Sequence, residues 1–463
     1  MTSIQKTLSP VDGRVYVERP LSDAAAIEET LGRAVRAQRD WATVPTKDRV
    51  ELLTRAVDAF VARGSDIAPE ISWQMGRPLR HAPGEVRGFE ERARYMLSIA
   101  DDALAAVEPG VKAGFTRQIK RVPVGVVAVV APWNFPYLTA VNALMPALIA
   151  GNAVVLKHSH QTPLCAERFA EAFSAAGLPA GVFQYLHLSH PDTSKLMADA
   201  RVATVCFTGS VAGGRSVVDA ISRGFATAGL ELGGKDPAYV RADANLAHAI
   251  ESLTDGAFFN AGQSCCGIKR IYVADPLYEA FVDGVVALTH EYKLGSPIDP
   301  ETTIGPVVRA SAADAVRSQV ADAVGRGARQ LIDLGRFSAD KAGTPYLAPQ
   351  VLVDVDHSMP IMREETFGPA VGIVRVQSDD EAVRLMNDSD FGLTAAIFSA
   401  DAACAERLGD ALDTGTVFLN RCDYLDPALA WTGVKQSGRG CTLSRFGYEQ
   451  LTRPKSYHFR INT

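Results

Sequence analysis

The most reactive side chain in the sequence is a cysteine in a run of small and amide residues, Phe258-Phe259-Asn260-Ala261-Gly262-Gln263-Ser264-Cys265-Cys266. Small neighbours and a glycine suit a tight, accessible loop. A thiol of ordinary pKa, about 8.5, becomes a nucleophile only in an activating environment. A partner for it is Glu231, which ends an apolar segment and is followed by Leu232-Gly233-Gly234-Lys235. A carboxylate at the carboxyl end of a strand can act as a general base; it can also stand solvated at a strand–loop junction. Asn134, in Ala131-Pro132-Trp133-Asn134-Phe135-Pro136, offers an amide donor to an oxyanion, or is a turn asparagine beside a packing tryptophan. Lys157 ends a second apolar segment. In Phe207-Thr208-Gly209-Ser210 the serine opens a helix whose N-terminus can hold a pyrophosphate, unless it is a plain N-cap. The glycine pattern there is not G-x-G-x-x-G. The run Glu364-Glu365-Thr366-Phe367-Gly368-Pro369 reads alone as an exposed acidic turn.

A scaffold must gather these scattered segments. The first third reads as helical: Ile27, Leu31, Ala34, Val35 and Trp41 recur at helical spacing, as do Leu53, Val57, Phe60 and Val61. The valine-rich run 124–131 is then nearly continuous in apolar residues, as a strand buried on both faces must be. A helix over 139–150, a strand over 153–157, a helix over 163–176 and strands near 183–188, 203–208 and 226–232 follow. Strands alternating with helices of this length imply a parallel sheet with right-handed crossovers. Ligands of such sheets bind beyond the carboxyl ends of the strands, where the segments above lie. A second alternating series over 234–432, with strands at 270–273, 370–376 and 416–420, implies a second α/β unit. The tail 456–461 alternates Tyr457, Phe459 and Ile461 with polar residues, and 116–123 is a partner strand for it or for another subunit's sheet edge.

Bulk properties narrow the classes. A chain of 463 residues exceeds one simple core. A net charge of −6 leaves no basic footprint for nucleic acid. The N-terminus reads as no signal peptide, and no apolar run approaches the roughly 20 residues that cross a bilayer. Seven cysteines without a Cys-x-x-Cys pair argue against structural zinc and fit a reducing cytoplasm. No metal is expected.

Taken in order, these segments resemble the aldehyde dehydrogenase superfamily, from about Ser9 to Tyr457. The resemblance implies an α/β fold: a Rossmann-like cofactor domain over 1–103 and 124–233, a catalytic domain over 234–432, and a β oligomerisation hairpin or arm from 104–123 and 433–463. It implies that Cys265 attacks an aldehyde, that Glu231 activates water, and that Asn134 and the Cys265 amide form the oxyanion hole. It assigns Trp133, Lys157, Gly209, Ser210, Glu365 and Phe367 to a nicotinamide cofactor, NAD with NADP as an option. Phe135, Phe259, Tyr424 and Trp431 would line the substrate funnel. A homodimer or homotetramer is expected, in the cytoplasm.

The sequence also departs from the family pattern. His160 stands where a glutamate commonly binds the adenosine ribose, which removes repulsion toward a 2′-phosphate. Leu188-Ser189-His190 replaces a glycine-proline loop at the adenine pocket. Ala143 and Thr442 stand where many members carry a lysine and a glutamate, and both charges are missing together, as the cost of a lone buried charge requires. Succinic semialdehyde dehydrogenases typically carry arginines at the positions of Asn142 and Phe259. Neither residue is basic here, so an aromatic or medium-chain aliphatic aldehyde ranks above that substrate. Arg421 is open to two readings, an anion contact or a solvated loop residue. A cysteine hydrolase without cofactor is the competing enzyme class, and a CoA-acylating enzyme or a catalytically dead scaffold fits less well.

Overall fold

The computed structural model describes residues 3–461. The outermost residues of the expected terminal segments, 1–2 and 462–463, lie outside the described residues.

The chain opens with a hairpin, β1 (Ile4–Leu8) against β2 (Val15–Pro20), so the first third is not wholly helical as its periodicity predicts. The reason is an inverted pattern. Gln5 and Thr7 are buried while Ile4 and Leu8 are exposed. The two buried polar side chains donate to the carbonyl of His160. A strand that docks through hydrogen bonds leaves no apolar stripe to read. Helices α1 (Ala24–Trp41), α2 (Thr46–Val61), α3 (Gly64–Met75), α4 (Pro83–Ser98) and the single turn α5 (Ala100–Ala103) follow.

The long strand β3 (Phe115–Pro123) leads into the first main sheet, whose strands are β4 (Val126–Val130), β5 (Ala153–Lys157), β6 (Phe183–Tyr185), β7 (Val202–Thr208) and β8 (Thr227–Glu231). The crossovers are α6 (Pro136–Ile149), α7 (Leu164–Ala175), α8 (His190–Ala198) and α9 (Val211–Ile221). The order is β18-β8-β7-β4-β5-β6, where β18 (Gly438–Arg439) is an antiparallel edge from the tail and the other strands are parallel. Both faces are covered: α2, α3, α4, α6 and α7 pack one, and α1, α8 and α9 the other. Val126–Val130 is therefore buried at every residue, as its unbroken apolar run predicts.

Four residues connect Glu231, the last of β8, to β9 (Asp236–Val240), the first strand of a second sheet. That sheet adds β10 (Ile268–Ala274), β11 (Arg329–Gln330), β12 (Gln350–Val353), β13 (Ala370–Val376), β15 (Thr394–Phe398) and β16 (Thr416–Leu419), in the order β11-β12-β13-β10-β9-β15-β16. All are parallel except β11. The helix α10 (Leu246–Phe258) runs into the turn Phe259–Gly262 that precedes Cys265. A small ribbon pairs β14 (Phe391–Gly392) with β17 (Val434–Lys435). The final strand β19 (Thr452–Arg460) pairs antiparallel with β3 over nine residues, joining the two segments that the sequence proposes as partners.

Candidate active site

Register brings the first set of residues together. Val130 lies beside both Lys157 and Phe207, and Thr208 beside Glu231. Lys157, Trp133 and Asn134, Gly209 and Ser210, and Glu231 thus leave the same edge of one sheet. Ser210 caps α9, its hydroxyl oxygen accepting from the Gly213 amide at 3.1 Å. A Cβ on Gly209 or Gly213 would meet the Phe207 ring at 2.6 or 2.5 Å, so these two glycines let the ring lie under the start of the helix. Lys157 is buried and its ammonium has no partner among the described residues. Burial alone pushes its pKa down to about 8.

The cysteine loop is built by backbone strain and a dense set of hydrogen bonds. Asn260 and Ala261 both hold φ 54°, a left-handed conformation that costs about 1–2 kcal/mol per residue. Asn260 is compensated: its amide donates to the carbonyls of Asn134 at 3.1 Å and Gln263 at 3.2 Å, and accepts from Arg77 Nε at 3.1 Å. Buried Lys269 caps the loop from below, donating to the carbonyls of Ser264 (2.8 Å), Cys265 (3.2 Å) and Gly267 (3.1 Å). Cys265 itself is partly exposed, while Cys266 is buried and its thiol donates to Asp423 at 2.9 Å.

Asn134 is pinned to this loop. Its Nδ2 donates to the Gln263 carbonyl at 3.2 Å, leaving the second N–H of the amide free. Arg77 Nη2 donates to the Asn134 carbonyl at 2.5 Å, and Arg77 Nη1 pairs with Glu85 at 2.7 Å, both side chains fully buried. The other Glu85 oxygen accepts the amides of Tyr137 and Leu138, which caps the N-terminus of α6.

Glu231 and Cys265 line one cavity of about 490 Å³, together with Phe135, Phe259, Tyr424 and Trp431. All four aromatics expected in the funnel are there. Asn134 is not on the cavity wall but directly behind it. Arg421 stacks on Tyr424, with its guanidinium carbon 3.6 Å from the ring centroid, and does not line the cavity. Glu231 is half-buried, and desolvation pushes its carboxyl pKa up, against the pull of Thr442, Thr208, the Arg92 charge and Asn142. Thr442 donates to one of its oxygens at 2.5 Å and Thr208 to the other at 3.2 Å.

On the other side of Glu231, Glu365 accepts from the Gly234 amide at 3.2 Å. A Cβ on Gly233 would fall 2.4 Å from the Glu365 carboxylate. Burial raises the Glu365 pKa. The Phe367 ring stands edge-on to Trp133, 5.6 Å between centroids. Elsewhere, His160 Nε2 donates to the Leu188 carbonyl at 2.6 Å, and Ser189 caps α8.

Sequence reasoning missed several residues of this region. Gly84, Arg87, Gly88, Glu91 and Arg92 form one stripe of α4 on the cavity wall. Their i, i+3, i+4, i+7, i+8 spacing is legible, but a charged stripe on a helix ordinarily faces water. Asp423 is the second omission. It is half-buried, holds φ 50°, and accepts from Ser264 and Cys266. Arg77, Glu85 and Lys269 carry no local motif.

Comparison with known proteins shows the family and the fold. The model of the aldehyde dehydrogenase family matches residues 2–457. The succinate semialdehyde dehydrogenase Sad of Escherichia coli (strain K12), named for NAD(P)+, is 34% identical over 445 residues, 96% of each chain. The geranial dehydrogenase of Castellaniella defragrans is 35% identical over 438 residues, covering 93% of this chain and 91% of that protein. The crystal structure of succinic semialdehyde dehydrogenase from Streptococcus pyogenes in complex with NADP+ superposes with a TM-score of 0.93 at 29% identity, over 98% of this chain and 100% of that one.

Proposed function

Because the chain belongs to the aldehyde dehydrogenase family, we propose that it oxidises an aldehyde to its carboxylic acid with NAD(P)+, using Cys265 as nucleophile, Glu231 as base and Asn134 as oxyanion donor. The observation that carries this reading is the shared cavity: a partly exposed thiol and a half-buried, pKa-raised carboxylate line the same space.

The residues present fit a dinucleotide. Lys157 is a buried cation without a partner among the described residues, Glu365 a half-buried carboxylate with one protein donor, and α9 a helix N-terminus opened by glycine. Lys157 and Glu365 would take ribose hydroxyls, Gly209 and Ser210 the pyrophosphate, and Trp133 and Phe367 would flank the nicotinamide. That ring, when bound, takes up the hydride. His160 adds no carboxylate at the adenosine end, which supports use of NADP as well as NAD.

The chain's own residues do the rest. The Cys265 thiolate adds to the carbonyl carbon, and the electron pair moves to oxygen. The free N–H of Asn134 Nδ2 and the Cys265 amide stabilise that oxyanion. After oxidation a thioester remains on Cys265. Glu231 takes a proton from water, the hydroxide adds to the thioester, and collapse expels the thiolate and the acid. Thr442 and Thr208 keep the base aimed while it carries the proton.

Phe135, Phe259 and Trp431 give the cavity an apolar, aromatic wall, which supports a substrate with an aromatic or medium-chain body. The outer edge of β19, which has no second strand partner among the described residues, and exposed Phe459 support assembly into a homodimer or homotetramer. No helix among the described residues is long and apolar enough to cross a membrane; seven free cysteines support a cytoplasmic location.

The test is absorbance at the reduced-nicotinamide band with aromatic, aliphatic and carboxylated aldehydes, each with NAD and NADP. Aldehyde-dependent reduction is expected. Cys265→Ala should abolish it while cofactor still binds, and Glu231→Gln should keep a first-turnover burst but slow later cycles by about 10²-fold or more. Chromogenic ester cleavage without any aldehyde oxidation would favour the hydrolase instead.

A further inference from the structure

One wall of the cavity holds a cation that the oxidation mechanism does not use. Arg92, on α4, is 6% exposed and lines the cavity with Cys265, Cys266 and Glu231. Only its Nη1 is engaged, with the Leu138 carbonyl at 2.6 Å and the Asn142 side-chain oxygen at 3.2 Å. Its Nε and Nη2 have no partner among the described residues, and it forms no ion pair there. Asn142 lines the same wall, and its Nδ2 is buried without a hydrogen bond. A buried arginine without a carboxylate is costly, and burial lowers its pKa against the charges of Glu231 and Glu85. The Glu231 charge acts on Arg92 across the cavity, but the two side chains form no ion pair among the described residues.

Three unpaired donors on one wall match a planar anion with two acceptor oxygens. Resting on the aldehyde-oxidising reading above, we propose that Arg92 and Asn142 bind the carboxylate of an aldehyde that carries an acid group at its far end. The absence of arginine at 142 and 259 then does not exclude such substrates. The guanidinium comes from α4 and rests against Asn142 rather than growing from that position. The aromatic wall holds the body of the molecule; at the cavity edge exposed Arg87 is outnumbered by Glu91 and Asp255, so anion recognition falls to Arg92 and Asn142.

The experiment compares kcat/KM for 4-oxobutanoate and butanal, aldehydes of equal chain length with and without the acid group. Wild type should favour 4-oxobutanoate, and Arg92→Met should cut that preference by at least about 30-fold. Arg92→Lys should restore part of it, since it returns the charge without the fork. Independently of turnover, succinate should slow iodoacetamide alkylation of Cys265 in wild type and fail to do so in Arg92→Met. No preference in wild type and no protection by succinate would overturn the proposal. So would equal losses for both aldehydes in Arg92→Met, which would mean that Arg92 only braces α4 against α6. If neither aldehyde reduces the nicotinamide, the parent reading fails, while protection by succinate still decides the role of Arg92.

Discussion

At the scale of single residues, the site works through carboxyl and ammonium groups displaced from their ordinary pKa values in known directions. Glu231 must be a carboxylate to accept a proton, and burial raises its pKa while the Thr442 hydroxyl opposes that rise. Thr442→Val removes the opposing donor, so the pKa climbs further. The acid limb of the kcat profile should move to higher pH, by about one unit for the loss of one hydrogen bond to a charged group. A profile that does not move would mean that Thr442 is mere packing. Lys157 has its pKa pushed down to about 8 by burial. It is a cation below that pH and neutral above it, so a contact that needs the ammonium weakens as pH rises through 8. Cofactor dissociation constants, read by nicotinamide fluorescence from pH 6.5 to 9.5, should rise over that step, and Lys157→Met should flatten the curve. The unliganded fold has the opposite sign. With a folded pKa of about 8 against an ordinary 10.5, the unfolded chain binds more protons between the two, so this residue's burial penalty fades as pH rises.

At the scale of elements, the buried pair Arg77–Glu85 ties the end of α3 and the start of α4 to the Asn134 turn and the N-terminus of α6. Breaking a buried pair by removing one partner costs about 3–5 kcal/mol. Glu85→Gln should lower the unfolding free energy by roughly that amount, measured by urea titration, and should slow turnover through the misplaced Asn134 turn. None of this pair is visible in the sequence, because its members have meaning only after four elements have packed. What the sequence does reveal is whatever obeys a local rule. Strands β4 and β5 are apolar runs because they are buried at every residue, and β7 and β8 keep shorter buried stretches, at Val205 and Cys206 and at Gly229 and Leu230. Their ends carry Asn134, Lys157, Gly209 and Glu231, so a large part of the candidate site is legible with them. The hairpin β1–β2 is not, since its inward residues are Gln5 and Thr7. Strand β9 is not, since it opens on buried Asp236 and a proline, and Asp236 is stabilised by Thr394 far along the chain. Arg92 escapes for the same reason in reverse: its stripe on α4 resembles a wet face, and only the fold shows that the water there belongs to the cavity.

At the scale of the whole molecule, the β3–β19 ribbon belongs to neither main sheet; β3 is bridged by Val107 at Ile119, while β19 has no second strand partner among the described residues and exposes Phe459. The second sheet ends in an equally open edge at β16, where Val417 and Leu419 are exposed. Open edges of this kind recruit strands. Sedimentation velocity should therefore find a particle of two or four chains of 49.5 kDa, and Phe459→Asp or Leu419→Asp should shift the population toward smaller species. The same C-terminal stretch reaches inward as well. Strand β18 closes the edge of β8 beside Glu231, Thr442 holds the base, and the Leu451 carbonyl is bound by Asn152 across 299 residues of chain. The base is thus among the last parts of the site to be set. A nascent chain emerging from the ribosome exposes its reactive thiol long before residue 442 exists, and closing loops of that length is slow. Until the tail is made, the first sheet has one bare edge and its carboxylate has only Thr208 to hold it. The interval between translation of Cys265 and docking of the tail is when this protein is most open to aggregation, to stray modification of the cysteine, and to the attention of chaperones.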